Sequence, residues 1–139
     1  MQKNKKGFTL IEMLVVIAII AVLVSIVVPV VGSTTTKAEA AVDAANLRSV
    51  LGYMNSVLIT QEMTIDVATS TYDPPACKLY PDAELYVLYS QPGFIDVYFV
   101  DGGHYYGLDY LSDVAQNASS SISTAEPTLG SLDAWYKVG

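Results

Sequence analysis

Few side chains in this sequence are of the types that do chemistry, and their spacing decides which chemistry is open to them. Cys77 and His104 are its one thiol and its one imidazole. They fall in separate turn-flanked segments, and no third residue is marked to orient the imidazole, so no nucleophile and base are assembled. A single cysteine closes no internal disulfide, and no Cys/His cluster has metal-ligand spacing. Cys77 reads as a packed or exposed free thiol and His104 as the start of a strand. Asp101, Asp109, Asp113 and Asp133 read as a solvated acidic surface, since their spacing matches no calcium-loop motif. The Asn117-Ala118-Ser119 triplet has the pattern of a glycosylation acceptor and reads as ordinary loop sequence. The expectation is a chain without catalytic residues, metal ligands or cofactor.

The carboxylate out of place is Glu12. It heads the uncharged run MLVVIAIIAVLVSIVVPVV, Met13 to Val31, 19 residues interrupted only by Ser25 and Pro29. That length crosses a bilayer core as a helix. It is too long for a removable signal core, and no small-x-small cleavage site follows before Gly32. Lys3, Lys5 and Lys6 precede the run and stay cytoplasmic by the positive-inside bias, which gives an N-in, C-out topology. A charge at this point needs a partner or an interfacial position; the helix dipole also favours it so near the N-terminus.

Residues 5–12 read KKGFTLIE. This resembles the class III signal of type IV prepilins and the related pseudopilins. The resemblance implies that prepilin peptidase cuts between Gly7 and Phe8 on the cytoplasmic side and N-methylates Phe8, while the apolar helix is kept. It also implies that Glu12, fifth in the mature chain, pairs with the new amine of a neighbouring subunit and acts as a register device. Pro29 stands where the family tends to have its helix proline. The partners implied are copies of the chain itself or related subunits in a filament, the peptidase, an inner-membrane assembly platform and membrane lipid. Physical reasons accompany these roles. A glycine lets a protease approach the backbone closely, and the lysines hold that bond at the membrane surface. Pro29 lacks a backbone donor and should kink or loosen the helix, with Gly32 adding freedom.

The resemblance covers residues 5–31 and does not reach the outer part of the chain. There the family's secretion pseudopilins bind calcium near their C-termini, and many Gram-negative members tie the C-terminal region with a cysteine pair. The lone Cys77 departs from that pattern and points to a disulfide-poor lineage.

After Gly32, Ala38, Ala41, Val42, Ala45, Leu47, Val50, Leu51, Met54, Val57 and Leu58 follow helical spacing, with Lys37, Glu39, Asp43 and Arg48 on the polar face. One helix from Phe8 to Glu62 is expected, roughly 80 Å long at about 1.5 Å per residue, with a weak point near residues 29–36. Residues 64–83 read as a loop from Asp73, Pro74, Pro75 and Pro81. The segments 84–90, 93–100 and 104–110 read as three strands joined by Gln91-Pro92 and by Asp101-Gly102-Gly103. Residues 112–134 read as a surface loop, and Trp135 to Val138 as a possible last strand. Tyr105, Tyr106 and Tyr110 form the most noticeable aromatic patch.

The expected fold class is therefore α+β and pilin-like, a long N-terminal helix, half membrane-spanning and half amphipathic, on a small antiparallel sheet. Its divisions are 1–7 leader, 8–31 transmembrane or filament-core helix, 32–63 amphipathic extension and 64–139 outer sheet domain. The chain has 139 residues and net charge -7, and past residue 7 fourteen acids face four bases. Nucleic acid is not expected as a direct partner, on charge. The function expected is a structural subunit of a type IV pilus or related pseudopilus, non-enzymatic, membrane-held before assembly and at the cell surface after it. The alternative is a monomeric membrane-anchored extracellular binding module, with the tyrosine-rich sheet capturing a ligand.

Overall fold

The computed structural model describes residues 7–60, 64–90, 94–127 and 134–139. The expected helix end at Glu62, the Gln91-Pro92 turn, Asp133 and the lysines at 3, 5 and 6 lie outside these residues. The chain divides into two units, Met1–Thr34 and Thr35–Gly139.

In the first unit, helix α1 (Leu10–Thr60) begins two residues after Phe8 and runs on through Pro29. Helix-forming Leu, Ala, Met and Glu open it, and its many β-branched residues are tolerated because an apolar environment leaves the backbone no better bonding pattern. Phe8 through Val31 stand exposed around the whole circumference, with Leu10 83% and Ile17 63% accessible. A water-soluble helix needs one polar face, so a helix apolar on all sides belongs in lipid or among other apolar helices.

In the second unit, α1 presents Ala40, Asp43, Ala44, Leu47, Val50, Met54 and Val57 to the interior. The three- and four-residue steps of that list form one stripe. A short helix α2 (Ile65–Thr71) follows, then β1 (Glu84–Ser90), β2 (Phe94–Asp101), β3 (His104–Gly107), α3 (Leu108–Asn117) and β4 (Ala134–Lys137). Among the described residues the four strands form one antiparallel sheet in the order β3-β2-β1-β4. Leu85 and Val87, Ile95, Val97 and Phe99, Tyr106 and Val138 alternate onto the core face and close over the α1 stripe. The Asp101↔His104 pair leaves a two-residue hairpin of Gly102 and Gly103, both at positive φ (55° and 84°), which glycine adopts without strain.

Four expectations are corrected here. Residues 64–83 include α2, because Ile65, Ala68 and Thr69 bury one side of a turn against the core. The segment 104–110 is strand only to Gly107; Leu108 starts α3, whose Leu111 and Val114 are buried. Residues 112–117, expected as loop, are therefore helix, ended by Ala118 at φ 64° with its N–H on the Val114 carbonyl at 2.7 Å. On α1, Val42 is 47% exposed and Ala38, Ala41 and Ala45 are exposed, while Asp43 is fully buried. The last strand, by contrast, stands where it was expected, paired with β1 from Tyr86↔Lys137 to Tyr89↔Ala134.

Candidate processing and assembly site

Gly7, Phe8 and Thr9 precede α1 in non-helical backbone. A Cβ placed on Gly7 would meet nothing within 4 Å, so the fold of the chain itself does not require glycine there. Thr9 caps the helix. Its N–H donates to Glu12 Oε2 at 2.7 Å and its hydroxyl to the same oxygen at 2.9 Å. In return, the Glu12 N–H reaches Thr9 Oγ1 at 3.4 Å and the Met13 N–H the Thr9 carbonyl at 3.3 Å. This is a capping box, a reciprocal pair that satisfies donors a helix start leaves open. The Thr-x-x-Glu spacing before an apolar run carries that signal in the sequence, and the reading of Glu12 as a lone charge overlooked it.

Farther along, Ser25 donates to the Val22 carbonyl at 2.7 Å, and Ser33 and Thr34 both donate to the Val30 carbonyl, at 3.1 and 2.9 Å. Hydroxyls placed this way carry their polarity inside the helix without needing water.

The chemistry-bearing residues of the second unit are held in separate structural roles. Cys77 Sγ donates to Asp43 Oδ2 at 3.2 Å, beside the Lys78 N–H on Oδ1 at 2.7 Å and the Leu79 N–H on Oδ2 at 2.8 Å. Burial, then the Asp43 hydrogen bond, pushes the thiol up to about 12, so it is a poor nucleophile at neutral pH. His104 is exposed and bonds Thr124 Oγ1 at 3.0 Å. Asp113 accepts from Asn117 at 2.7 Å and Ser120 at 2.8 Å; the Ser120 and Asn117 bonds hold its carboxyl below the usual range. No group of three or more His, Cys, Asp or Glu able to hold a metal forms among the described residues.

The expected patch of Tyr105, Tyr106 and Tyr110 is split by the pleat. Tyr106 faces the core, stacked on Tyr80 at 3.8 Å and 5.3 Å from Tyr110, whose hydroxyl meets that of Tyr80 at 2.9 Å. Tyr105 lies on the opposite face, 5.2 Å from Trp135.

Residues 2–28 match the family described as the prokaryotic N-terminal methylation motif. Over 61 residues the chain is 44% identical to the type IV wide pilus major component PilA4 of Thermus thermophilus, a stretch that is 44% of this chain and 41% of that protein. The chain thus spans about two fifths of the length of the relative it matches. No solved structure matches it. The chain is thus similar over residues 2–28 to the methylation-motif family and over 61 residues to a type IV pilus component, and it carries a long apolar helix and a small antiparallel sheet.

Proposed function

We propose that this chain is a structural subunit of a type IV pilus or related pseudopilus. Prepilin peptidase cuts it between Gly7 and Phe8 and methylates the Phe8 amine; the helix then holds it in the membrane, N-in and C-out, until the assembly platform draws it into a filament. The observation that carries this is the conjunction of the methylation motif with a helix apolar on every side and headed by one carboxylate. A side chain at Gly7 would be sterically free within the chain, which fits a glycine selected by a protease and not by the fold. On this reading the divisions are leader 1–7, core helix 8–31, amphipathic extension 32–63 and outer domain 64–139, with Pro29 the place where the core helix yields.

Glu12 is the register device. In the single chain its Oε2 is occupied by Thr9, so a neighbour's methylated amine competes with the cap for this carboxylate. In an apolar filament core an unpaired charge is costly, and subunits inserted out of register are penalised. Glu12→Ala and Glu12→Gln are expected to cut sheared-filament yield at least about tenfold, a loss of roughly 1.4 kcal/mol per inserted subunit, with membrane levels unchanged. Filaments at normal yield would remove the register role, and a wild-type chain that never enters filaments would favour the membrane-anchored binding module.

A further inference from the structure

The sheet face turned away from the core carries Tyr86, Tyr98, Tyr105 and Trp135. Trp135 lies 5.5 Å from Tyr98 at 72° and 5.2 Å from Tyr105 at 36°. The β2–β3 pairing stops at Tyr98↔Gly107, where the chain turns into α3, while β2 itself extends back to Phe94. This step in the sheet edge leaves a cavity of about 390 Å³, within the size range of small-molecule sites. Tyr98 and Tyr105 form its aromatic wall, Leu108 and Ile122 are apolar neighbours, and Asp96 and Asp109 stand at its rim. Gly107 shapes that wall, because a Cβ there would come within 2.9 Å of Tyr98 Cε1.

The charge is one-sided. Among the described residues the ion pair found is Lys137 with Glu84, at 2.6 Å; Asp96 and Asp109 are exposed and take no cation of their own. Asp96 and Asp109 line the same cavity as Tyr98, and burial, then these two carboxylates, pushes the Tyr98 phenol up.

Anions are repelled from such a site, and a small metal ion finds no third His, Cys, Asp or Glu there among the described residues. A primary ammonium is a compact, strongly hydrated charge and exchanges its water for ring faces less readily than a methylated one. A weakly hydrated organic cation meets none of these objections: ring faces attract it, apolar walls accept its methyl groups and the carboxylates balance its charge. We propose that this cavity binds a quaternary ammonium group of the choline type. The inference stands whether or not the chain assembles into filaments.

Trp135 is the chain's one tryptophan and touches both wall tyrosines, so its fluorescence reports occupancy. The full chain in a maltoside detergent is titrated with choline chloride at constant ionic strength. A saturable change is expected with a midpoint on the order of 1 mM, and the uncharged isostere dimethylbutanol is expected to produce about a tenth of it or less at equal concentration. The double variant Asp96→Asn, Asp109→Asn, at two exposed positions, is expected to weaken the response about tenfold or more. No saturable change, an equal response to the isostere, or unaltered affinity in the double variant would each overturn the proposal.

Discussion

Asp43 shows how far one residue's role depends on what docks against it. Helical spacing puts it beside Lys37, Glu39 and Arg48 on a polar face, yet it is fully buried and accepts from Lys78, Leu79 and Cys77. Nothing local announces this, because the donors belong to backbone more than thirty residues away. Asp43→Ala leaves two N–H groups without acceptors and is expected to destabilise the outer domain by about 3 kcal/mol. Asp43→Asn keeps one acceptor but turns an NH2 toward the other backbone N–H, so it too should destabilise the outer domain. Chemical denaturation of the detergent-held chain measures both; a loss under about 0.5 kcal/mol for the alanine variant would contradict the anchoring role. The proposed processing residues are the opposite case. Gly7, Phe8 and Glu12 are readable because a run of distinct types at fixed spacing carries them, and the Thr9 cap is written in the same few letters.

At the scale of elements, period-two alternation made β1 and β2 legible, and the Gly102-Gly103 pair made their neighbour's hairpin legible. The amphipathic half of α1 was half legible. Alanines occur on both sides of it, at 38, 41 and 45 as well as at 40 and 44, so hydrophobicity alone does not choose a face until Leu47, Val50 and Met54 break the tie. Helix α3 was missed because its Ser, Asp and Asn content resembles loop, and only the sheet beneath Leu111 and Val114 supplies the apolar surface that repays helix formation. The faces are distinguishable by experiment. Leu47→Ala, at a site with no accessible surface, should cost about 2–5 kcal/mol, whereas Val42→Ala, on the exposed side, should change stability by under about 0.5 kcal/mol. Similar losses at both positions in thermal unfolding would mean that the stripe is misassigned.

For the whole molecule, one sequence carries two units of opposite surface character. The first unit offers lipid or other helices an unbroken apolar surface, with its few hydroxyls bonded back to the helix. The second holds itself by packing and buried hydrogen bonds, with its single thiol buried against Asp43. A long apolar helix with an acidic outer part can remain a simple membrane anchor or become a filament subunit, and the proposed cleavage after Gly7 is what would separate the two. The direct measurement is the intact mass and N-terminal sequence of the membrane-extracted protein from cells with and without a prepilin peptidase. A chain beginning at Phe8 with one added methyl is expected when the peptidase is present, and an uncut chain when it is absent; an uncut chain in both would contradict processing after Gly7.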